Sequence, residues 1–437
     1  MAVDGTRATA APDGAGGAAG VPAEPLAAAE RDLRRRRLAP ALDGFRAALR
    51  RDPASQRARL GLATVYLRLG QPEAAIAHCR KLLSSAPGID GAWVLLGASL
   101  AQAGDNEGAL AAYGRGLAVA PRNAELHLGR ALALLRRGDW AEGFREYEWR
   151  WRAVAFRGQR RNFVPPLWTG DALAGRHILL HCEQGYGDSI QFARWVPEVV
   201  RLGARVTLEC PVALQRLFAV SFPEVAVVAR GQALPEFDVH CPLLSLPLRF
   251  AARPDAVPSP GGYLTGAANT PFGRRPGLAV GLLWQGNPEH PSDRRRSLPF
   301  AALQPVLAVP GVDAWSLQRE PGAIPAGAPA WAAALQTTHA LQRDFAALAA
   351  IVARLDLVIT VDSAVAHLAG ALGRPVWALL PAVGDWRWGL RGETTPWYAA
   401  ARLFRQDRLG DWGSPVAAAA AALAAMPGRR LQRPVPG

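Results

Sequence analysis

Lysine is almost absent from this chain of 437 residues: Lys81 is the only lysine among 50 basic residues, and the rest are arginine. The formal net charge of +14 at pH 7 is therefore an arginine charge, and it is spread along the chain. Together with abundant Ala, Gly and Pro, this pattern indicates a compositional bias rather than a nucleic-acid-binding face. Nucleic acid is the least favoured partner, because an acidic ligand or a nucleoside diphosphate suits the same charge.

Cysteine is also scarce. The four cysteines are far apart, and no pair has the CxxC spacing of a zinc site. We therefore expect no metal site and no disulfide framework, and a reducing, cytoplasmic location. The first 20 residues lack a basic segment followed by an apolar core, and no apolar run approaches the ~20 residues that a membrane span needs. Neither a signal peptide nor a membrane span is expected.

A period of 34 residues runs through the N-terminal third of the chain. Three prolines and three glycines recur at this spacing: Pro53, Pro87 and Pro121, and Gly70, Gly104 and Gly138. Other anchor positions of a tetratricopeptide repeat are occupied within one period: Trp93, Leu96, Gly97, Leu100, Ala109 and Tyr113. We predict helical repeats over 23–155, preceded by a disordered low-complexity segment at 1–22 and followed by a linker at 156–176.

Short apolar strands alternate with helices from residue 177 onwards. Such alternation predicts parallel sheets with helices on both faces. A run rich in Pro and Gly at 252–262 divides the pattern into an N-terminal Rossmann-like half at 177–262 and a C-terminal half at 277–437. The predicted fold class is thus multidomain: an all-α repeat solenoid followed by an α/β region of two Rossmann-like halves. Ligands of such folds bind at the carboxyl ends of the strands, in the cleft between the halves.

The stretch HCEQGYGDSIQFARW at 181–195 organises the first half. It predicts a buried strand, a turn and a helix, with Gly185 and Gly187 allowing the turn and Asp188 at the helix start as an N-cap. A dinucleotide-binding GxGxxG motif would need glycine where Ile190 stands, and a carboxylate at the helix start would repel a phosphate. Two interpretations of Asp188 stay open, a helix cap or a general base aimed into the cleft.

Three further loops follow predicted strands of the second half. The loop at 285–297 places Arg294, Arg295 and Arg296 beside Ser297, either as a solvated basic loop or as a phosphate site, since arginine forks match phosphate oxygens. Gln318 follows the next strand, and Asp362 precedes a helix of small residues whose free N–H groups could hold a diphosphate.

Some side chains near these loops are expected to be structural. A single histidine on a helix, such as His367, is more often a structural hydrogen-bonding residue than a catalyst. Core packing is likewise favoured for most of the aromatic residues that crowd the loop after the last buried strand: Trp386, Trp388, Trp397 and Tyr398.

Two of these stretches resemble a known family. VITVDSAVAHLAGALGRPVWALL at 358–380 is similar to the nucleotide-sugar-binding segment of heptosyltransferase-like glycosyltransferases of GT-B fold, and EQGYGDSIQF at 183–192 to their Gly-Asp turn. The region from about 160 to 426 resembles bacterial proteins that fuse tetratricopeptide repeats to such a domain. Their pattern W-x-G-N-P-x-H-x-x-D-x-x-R-S is matched by Trp284, Gly286, Asn287, Pro288, His290, Asp293, Arg296 and Ser297.

The resemblance implies a glycosyltransferase with Asp188 as the base. It places the donor segment at Asp362, Ser363, Ala364 and His367, with Ala364 where the family has glycine. The arginines at 294–296 would replace the lysine that these enzymes use near the donor phosphates. The other residues expected to contact substrate are Gln184, Gly185, Gly187, Trp284, Gly286, Asn287, Ser297 and Gln318.

Two hypotheses follow from the sequence. The first is a metal-independent transferase that needs no cofactor beyond its nucleotide-diphosphate sugar, with repeats that recruit a protein or glycan acceptor. The alternative is an inactive repeat scaffold with a transferase-like ligand-binding domain.

Overall fold

In the computed structural model, the residues described are 24–266, 270–273, 275–290, 293–320 and 324–426. The chain divides into two units, with the boundary between residues 160 and 161. This boundary lies inside the segment expected to be a linker. Of the residues that the structure describes, none form a helix long and apolar enough to cross a membrane.

The first unit is built from helix pairs. Its helices, α1 to α8, are Glu24–Arg34, Leu38–Arg51, Gln56–Arg68, Pro72–Ser85, Asp90–Gln102, Asn106–Val119, Ala124–Arg137 and Trp140–Tyr147. Polar side chains cap the N-termini of some of these helices: Ser55 accepts a hydrogen bond from the Ala58 amide, and Asp105 accepts one from the Gly108 amide. The periodic glycines lie in turns within the pairs, where Gly70, Gly104 and Gly138 have positive φ.

Small residues are needed where the helices of this unit cross. Tyr113 is 3 % exposed, and its ring lies between Gly97 and Gly129. A Cβ atom added at Gly97 would lie 2.3 Å from the Tyr113 ring, and one at Gly129 would lie 2.4 Å from it. Only glycine allows this close packing on the ring, and Gly97 is one of the anchor positions of the 34-residue period. The prediction of helical repeats is confirmed.

The second unit begins with a four-stranded parallel sheet in the order β3-β2-β1-β4. Its strands β1 to β4 are His177–His181, Arg205–Cys210, Ala226–Ala229 and Val239–Pro242. The accompanying helices, α9 to α12, are Tyr186–Phe192, Val196–Arg201, Val212–Ser221 and Leu246–Arg249. The sequence predicts one helix over 190–202, whereas the structure inserts a 3₁₀ turn at Ala193–Trp195 before Pro197. Proline lacks the N–H that a helix interior requires, but it is accepted in a first turn.

A six-stranded parallel sheet follows, in the order β10-β9-β8-β5-β6-β7. Its strands β5 to β10 are Leu278–Leu283, Val312–Ser316, Gln336–Thr337, Leu357–Val361, Val376–Leu380 and Ala401–Arg405. Its helices, α13 to α17, are Asp293–Arg296, Gln304–Leu307, Phe345–Val352, Ala364–Ala371 and Gly413–Ala424. Every residue of β8 and β9 is buried, as expected for strands covered on both faces. Two α/β halves with separate parallel sheets confirm the predicted fold class.

Candidate functional site

The turn after β1 places Asp188 in the first turn of α9. The sequence-based N-cap assignment of Asp188 is wrong: Gly185 is the N-cap, and Asp188 stands three residues later. Its Oδ2 accepts a hydrogen bond from the Gly185 amide at 2.9 Å. The Asp188 side chain, from the third helical position, thus satisfies an amide at the N-terminus of the helix that has no partner within the helix backbone. Gln184, half-buried just before the turn, has a φ of 61°, a backbone conformation that few residues other than glycine adopt readily.

Gly187 lies where the two α/β halves approach each other. A Cβ atom at this position would lie 3.0 Å from Cδ2 of His367 and 3.5 Å from Cα of Ala364. A side chain there would hold α9 and the start of α16 apart. The structure therefore brings the Gly-Asp turn of the first half against the predicted donor segment of the second half.

Arg387 joins these two halves, and sequence reasoning missed it. Its Nη2 donates to Asp188, its Nε donates to Oε1 of Gln191 at 2.6 Å, and its Nη1 donates to Oδ1 of Asp385 at 2.8 Å. Asp188 and Gln191 belong to α9, whereas Asp385 belongs to the loop after β9. The only available signal was an acid and an arginine within an aromatic-rich loop, and the aromatic residues drew the interpretation towards packing.

The packing predicted for that loop is confirmed. Its four aromatic side chains are buried: Trp386, Trp388, Trp397 and Tyr398. His367 lies among them, 5 % exposed, with Nδ1 2.9 Å from the Tyr398 hydroxyl and its ring stacked on Trp388. Burial, together with the charge of Arg387, lowers the pKa of His367 to about 3. The histidine is therefore neutral at pH 7 and has the structural role that the sequence favoured.

Asp362 and Ser363 link the end of β8 to α16. Burial and the nearby Asp385 carboxylate raise the pKa of Asp362. Burial alone would also raise the pKa of Asp385, but the charge and hydrogen bonds of Arg387 lower it. The hydroxyl of Ser363 lies 3.0 Å from that of Thr360, and no side chain caps the first turn of α16. The Ala366 amide donates to the Ser363 carbonyl at 3.1 Å.

The loop after β5 is held by a short polar network. The Gly286 amide donates to Oγ of Ser297 at 2.9 Å, and that hydroxyl donates to Oδ1 of Asp293. Arg296 donates to the same carboxylate oxygen at 3.3 Å. A Cβ atom at Gly286 would lie 2.7 Å from Oδ1 of Asp293 and 2.8 Å from Nε of Arg296, so a larger residue here would displace these two side chains.

The three consecutive arginines of this loop differ in their surroundings. Arg294 is exposed, whereas Arg295 and Arg296 are half-buried. The charge of Arg296 contributes to the lowered pKa of His367 and opposes the rise in the pKa of Asp362, and both of these residues belong to the predicted donor segment. Burial, with help from Arg296, lowers the pKa of His290 to about 4.

Three other residues expected to bind substrate make contacts within the protein. Oε1 of Gln318 accepts hydrogen bonds from the amides of Trp284 and Gln285, at 3.0 and 2.9 Å, and so fixes the end of β5 against that of β6. Trp284 is fully buried, with its ring 5.2 Å from that of Phe300. Oδ1 of Asn287 accepts a hydrogen bond from the Glu289 amide at 3.0 Å. These contacts shape the loop, and Trp284 in particular has no surface to offer a ligand.

Comparison with known proteins connects this architecture to characterised families. Two tetratricopeptide-repeat models match residues 33–99 and 94–161. The model described as glycosyltransferase family 9 (heptosyltransferase) matches residues 329–407, which include the donor segment and Arg387. Over 438 aligned residues the chain is 30 % identical to protein FlbA of Caulobacter vibrioides, and the alignment covers 91 % of this chain and 72 % of FlbA. The chain belongs to the FlbA family. In this chain the tetratricopeptide repeats precede the segment that matches the glycosyltransferase family 9 model, and this match supports a transferase.

Other similarities are more local. A tetratricopeptide-repeat and J-domain co-chaperone of Fusarium oxysporum is 38 % identical over 100 residues, which are 23 % of this chain and 19 % of that protein. A tetratricopeptide-repeat structure from Thermus thermophilus is 24 % identical, covers 31 % of this chain and 82 % of its own, and has a TM-score of 0.27. The dodecameric glycosyltransferase TibC of enterotoxigenic E. coli is 14 % identical, covers 55 % of this chain and 65 % of its own, and has a TM-score of 0.39.

Proposed function

We propose that the α/β unit transfers a sugar from a nucleotide-diphosphate sugar to an acceptor hydroxyl, with the acceptor at the first half and the donor at the second. The observation behind this proposal is the meeting of Asp188, from the Gly-Asp turn, with the loop and helix start that hold Arg387, Asp362 and His367. A carboxylate from one half thus stands at the donor segment of the other.

Each part of the site has a chemical task in this proposal. Asp188 takes the proton of the acceptor hydroxyl. The acceptor oxygen attacks the sugar carbon, and the bond between that carbon and the diphosphate breaks. Arg296, the neighbouring arginines and the N–H groups at the start of α16 bind the phosphate oxygens and stabilise the charge that develops on the leaving group. In this scheme arginines neutralise the diphosphate, so transfer needs neither a metal ion nor a further cofactor. Turnover should therefore persist in EDTA.

Donor binding is the first test. Calorimetry with a panel of UDP-, GDP- and ADP-sugars should identify at least one that binds, and release of the nucleoside diphosphate from that donor then measures turnover. Asp188→Asn keeps the size of the side chain and an oxygen for the Gly185 amide. It should retain donor affinity and lose turnover by at least about 100-fold, in line with the loss of a general base. Full turnover in this variant would remove Asp188 from the mechanism.

The repeat unit offers a place for a protein partner. A groove of about 390 Å³ lies between α4, α5 and α6, with Leu83, Leu96 and Leu100 in its lining and Arg80 and Arg115 from the two flanking helices. Both arginines are exposed, and no ion pair holds either of them within the described part of the chain. We propose that this groove holds an acidic segment of the protein acceptor with an apolar anchor side chain. The double variant Arg80→Glu, Arg115→Glu should then abolish transfer to that protein while donor turnover stays unchanged.

Two observations favour the scaffold alternative. The chain has no lysine outside the repeats, and Arg296 already contacts Asp293. If none of the sugar nucleotides binds, the α/β unit is a ligand-binding or structural domain, and the repeat groove remains as the functional surface. The buried, free cysteines of the described chain fit the cytoplasmic location that we propose for either activity.

A further inference from the structure

Arg387 is a charged side chain placed where a charge is costly unless it is paired. Only 6 % of its side chain is exposed, and its guanidinium carbon lies 4.5 Å from the centroid of the Trp386 ring. A buried guanidinium persists only when hydrogen-bond acceptors and opposite charges surround it. The residues that supply them should therefore reveal what this arginine organises.

Those residues come from both halves of the cleft. The three nitrogens of the guanidinium each donate to a different side chain: Nε to Gln191, Nη1 to Asp385 and Nη2 to Asp188. Since the guanidinium is planar and rigid, fixing two of its edges determines the position of the third. The guanidinium of Arg387 thus links the Asp188 carboxylate directly to the second half.

Asp385 in turn positions Arg387. Its Oδ1 accepts a hydrogen bond from the Arg387 main-chain amide at 3.1 Å and another from Nη1 of the same residue. One carboxylate therefore holds both the backbone and the guanidinium of Arg387. Asp385 is also the N-cap of the 3₁₀ turn Trp386–Trp388, which orients the loop after β9. The arginine is therefore pre-oriented by its own half and reaches α9 from there.

We propose that Arg387, held by Asp385, is a positioning residue that sets the Asp188 carboxylate against the donor segment, so that acceptor and donor meet in reacting geometry. This inference rests on the proposed transferase function. Asp188 is held at a second point by the Gly185 amide, which contacts its other oxygen. Two fixed oxygens leave the carboxylate one orientation, with lone pairs still available to an acceptor hydroxyl.

The expected effect follows from geometry. Loss of the guanidinium leaves Asp188 tied only to its own turn, and a displacement of about 1 Å in such a group lowers turnover by about 100-fold. Arg387→Gln should therefore reduce kcat by about 100-fold and change the KM for the sugar nucleotide little. Arg387→Lys retains the charge but not the fork, and should restore only part of kcat. Asp385→Asn should resemble the lysine variant.

A control variant distinguishes the positioning of Asp188 from the general effect of an ion pair that links the two α/β halves. Arg216 forms a bidentate ion pair with Asp344, also between the two halves, but its side chain is 57 % exposed and donates to neither Asp188 nor Asp385. Arg216→Gln should leave kcat within about twofold of the unmodified protein, since exposed pairs contribute little. Unfolding temperatures and donor affinities of all variants show which of them remain folded.

Two measurements decide the inference. In a double-mutant cycle, adding Arg387→Gln to Asp188→Asn should cause no further loss of kcat, because both changes remove the same function. Independently of any donor, deuterium uptake of 183–192 should rise in Arg387→Gln and not in Arg216→Gln. The positioning role would be overturned if the double variant lost kcat by the product of the two single losses, or if deuterium uptake at 183–192 stayed unchanged in Arg387→Gln. If Asp188→Asn itself retains full kcat, the proposed base has failed instead.

Discussion

His367 should make the α/β unit sensitive to acid. Its imidazole is buried and neutral, held by the Tyr398 hydroxyl and stacked on Trp388, and burial lowers its pKa to about 3. In the unfolded chain a histidine takes up a proton near pH 6.5. Between these two values the unfolded state binds more protons than the folded state, so the free energy of unfolding falls as the pH falls.

The size of this effect follows from the two pKa values. Between pH 7 and pH 4.5, His367 should remove about 2 to 3 kcal/mol from the free energy of unfolding, and the loss should continue until the pH nears 3. His367→Gln retains a polar partner for Tyr398 but cannot be protonated. The variant should be less stable at pH 7, and its stability should fall less between the two pH values.

Denaturant unfolding at pH 7 and pH 4.5, followed on the transition of the α/β unit, measures the difference. Tyr398→Phe is the control, because it removes the hydroxyl partner and leaves the buried imidazole. Between pH 7 and pH 4.5, the free energy of unfolding of Tyr398→Phe should fall as much as that of the unmodified protein. An equal fall in His367→Gln and the unmodified protein would refute the argument that the buried His367 ring causes the acid sensitivity.

Two further predictions concern glycines at which an added Cβ atom would meet a neighbouring side chain. Gly97→Ala should lower the free energy of unfolding of the repeat unit by about 2 kcal/mol, because its Cβ would meet the Tyr113 ring at 2.3 Å. Gly114→Ala is the control: this position in α6 has open space around it, so the variant should be neutral or slightly stabilising. Thermal unfolding of the full chain compares the two variants. Gly286→Ala should weaken donor binding by about tenfold in calorimetry, since its Cβ would displace Asp293 and Arg296, and an unchanged affinity would show that the loop does not contact the donor.

Periodicity explains why the repeats could be predicted from the sequence. A unit of 34 residues contacts mainly its neighbours, so each position meets the same surroundings in every copy. Gly97 and Tyr113 are therefore recognisable by spacing alone, and the structure shows the contact between them. The alternating strands and helices of the α/β unit are similarly local, because buried parallel strands such as β8 are continuous apolar runs.

The helix start at the Gly-Asp turn shows where local reasoning failed. The residue type at Asp188 suits an N-cap, but Gly185 is the N-cap, and Asp188 returns its carboxylate to the Gly185 amide from the third helical position. Both arrangements satisfy the same free amides, so composition does not distinguish them. Gln318 is a comparable case: a polar side chain after a strand could face a ligand or brace the neighbouring strand, and it braces β5.

The sequence by itself determined the repeat unit, the two α/β halves and the loops that leave their strands, because periodicity and strand burial act over short stretches of chain. It also singled out Asp188 and the donor segment by their place in those loops. Only the tertiary structure decided that Arg387, 199 residues from Asp188 in sequence, would donate to it. A guanidinium meets its partners through the packing of two separate sheets, and no spacing along the chain encodes that distance.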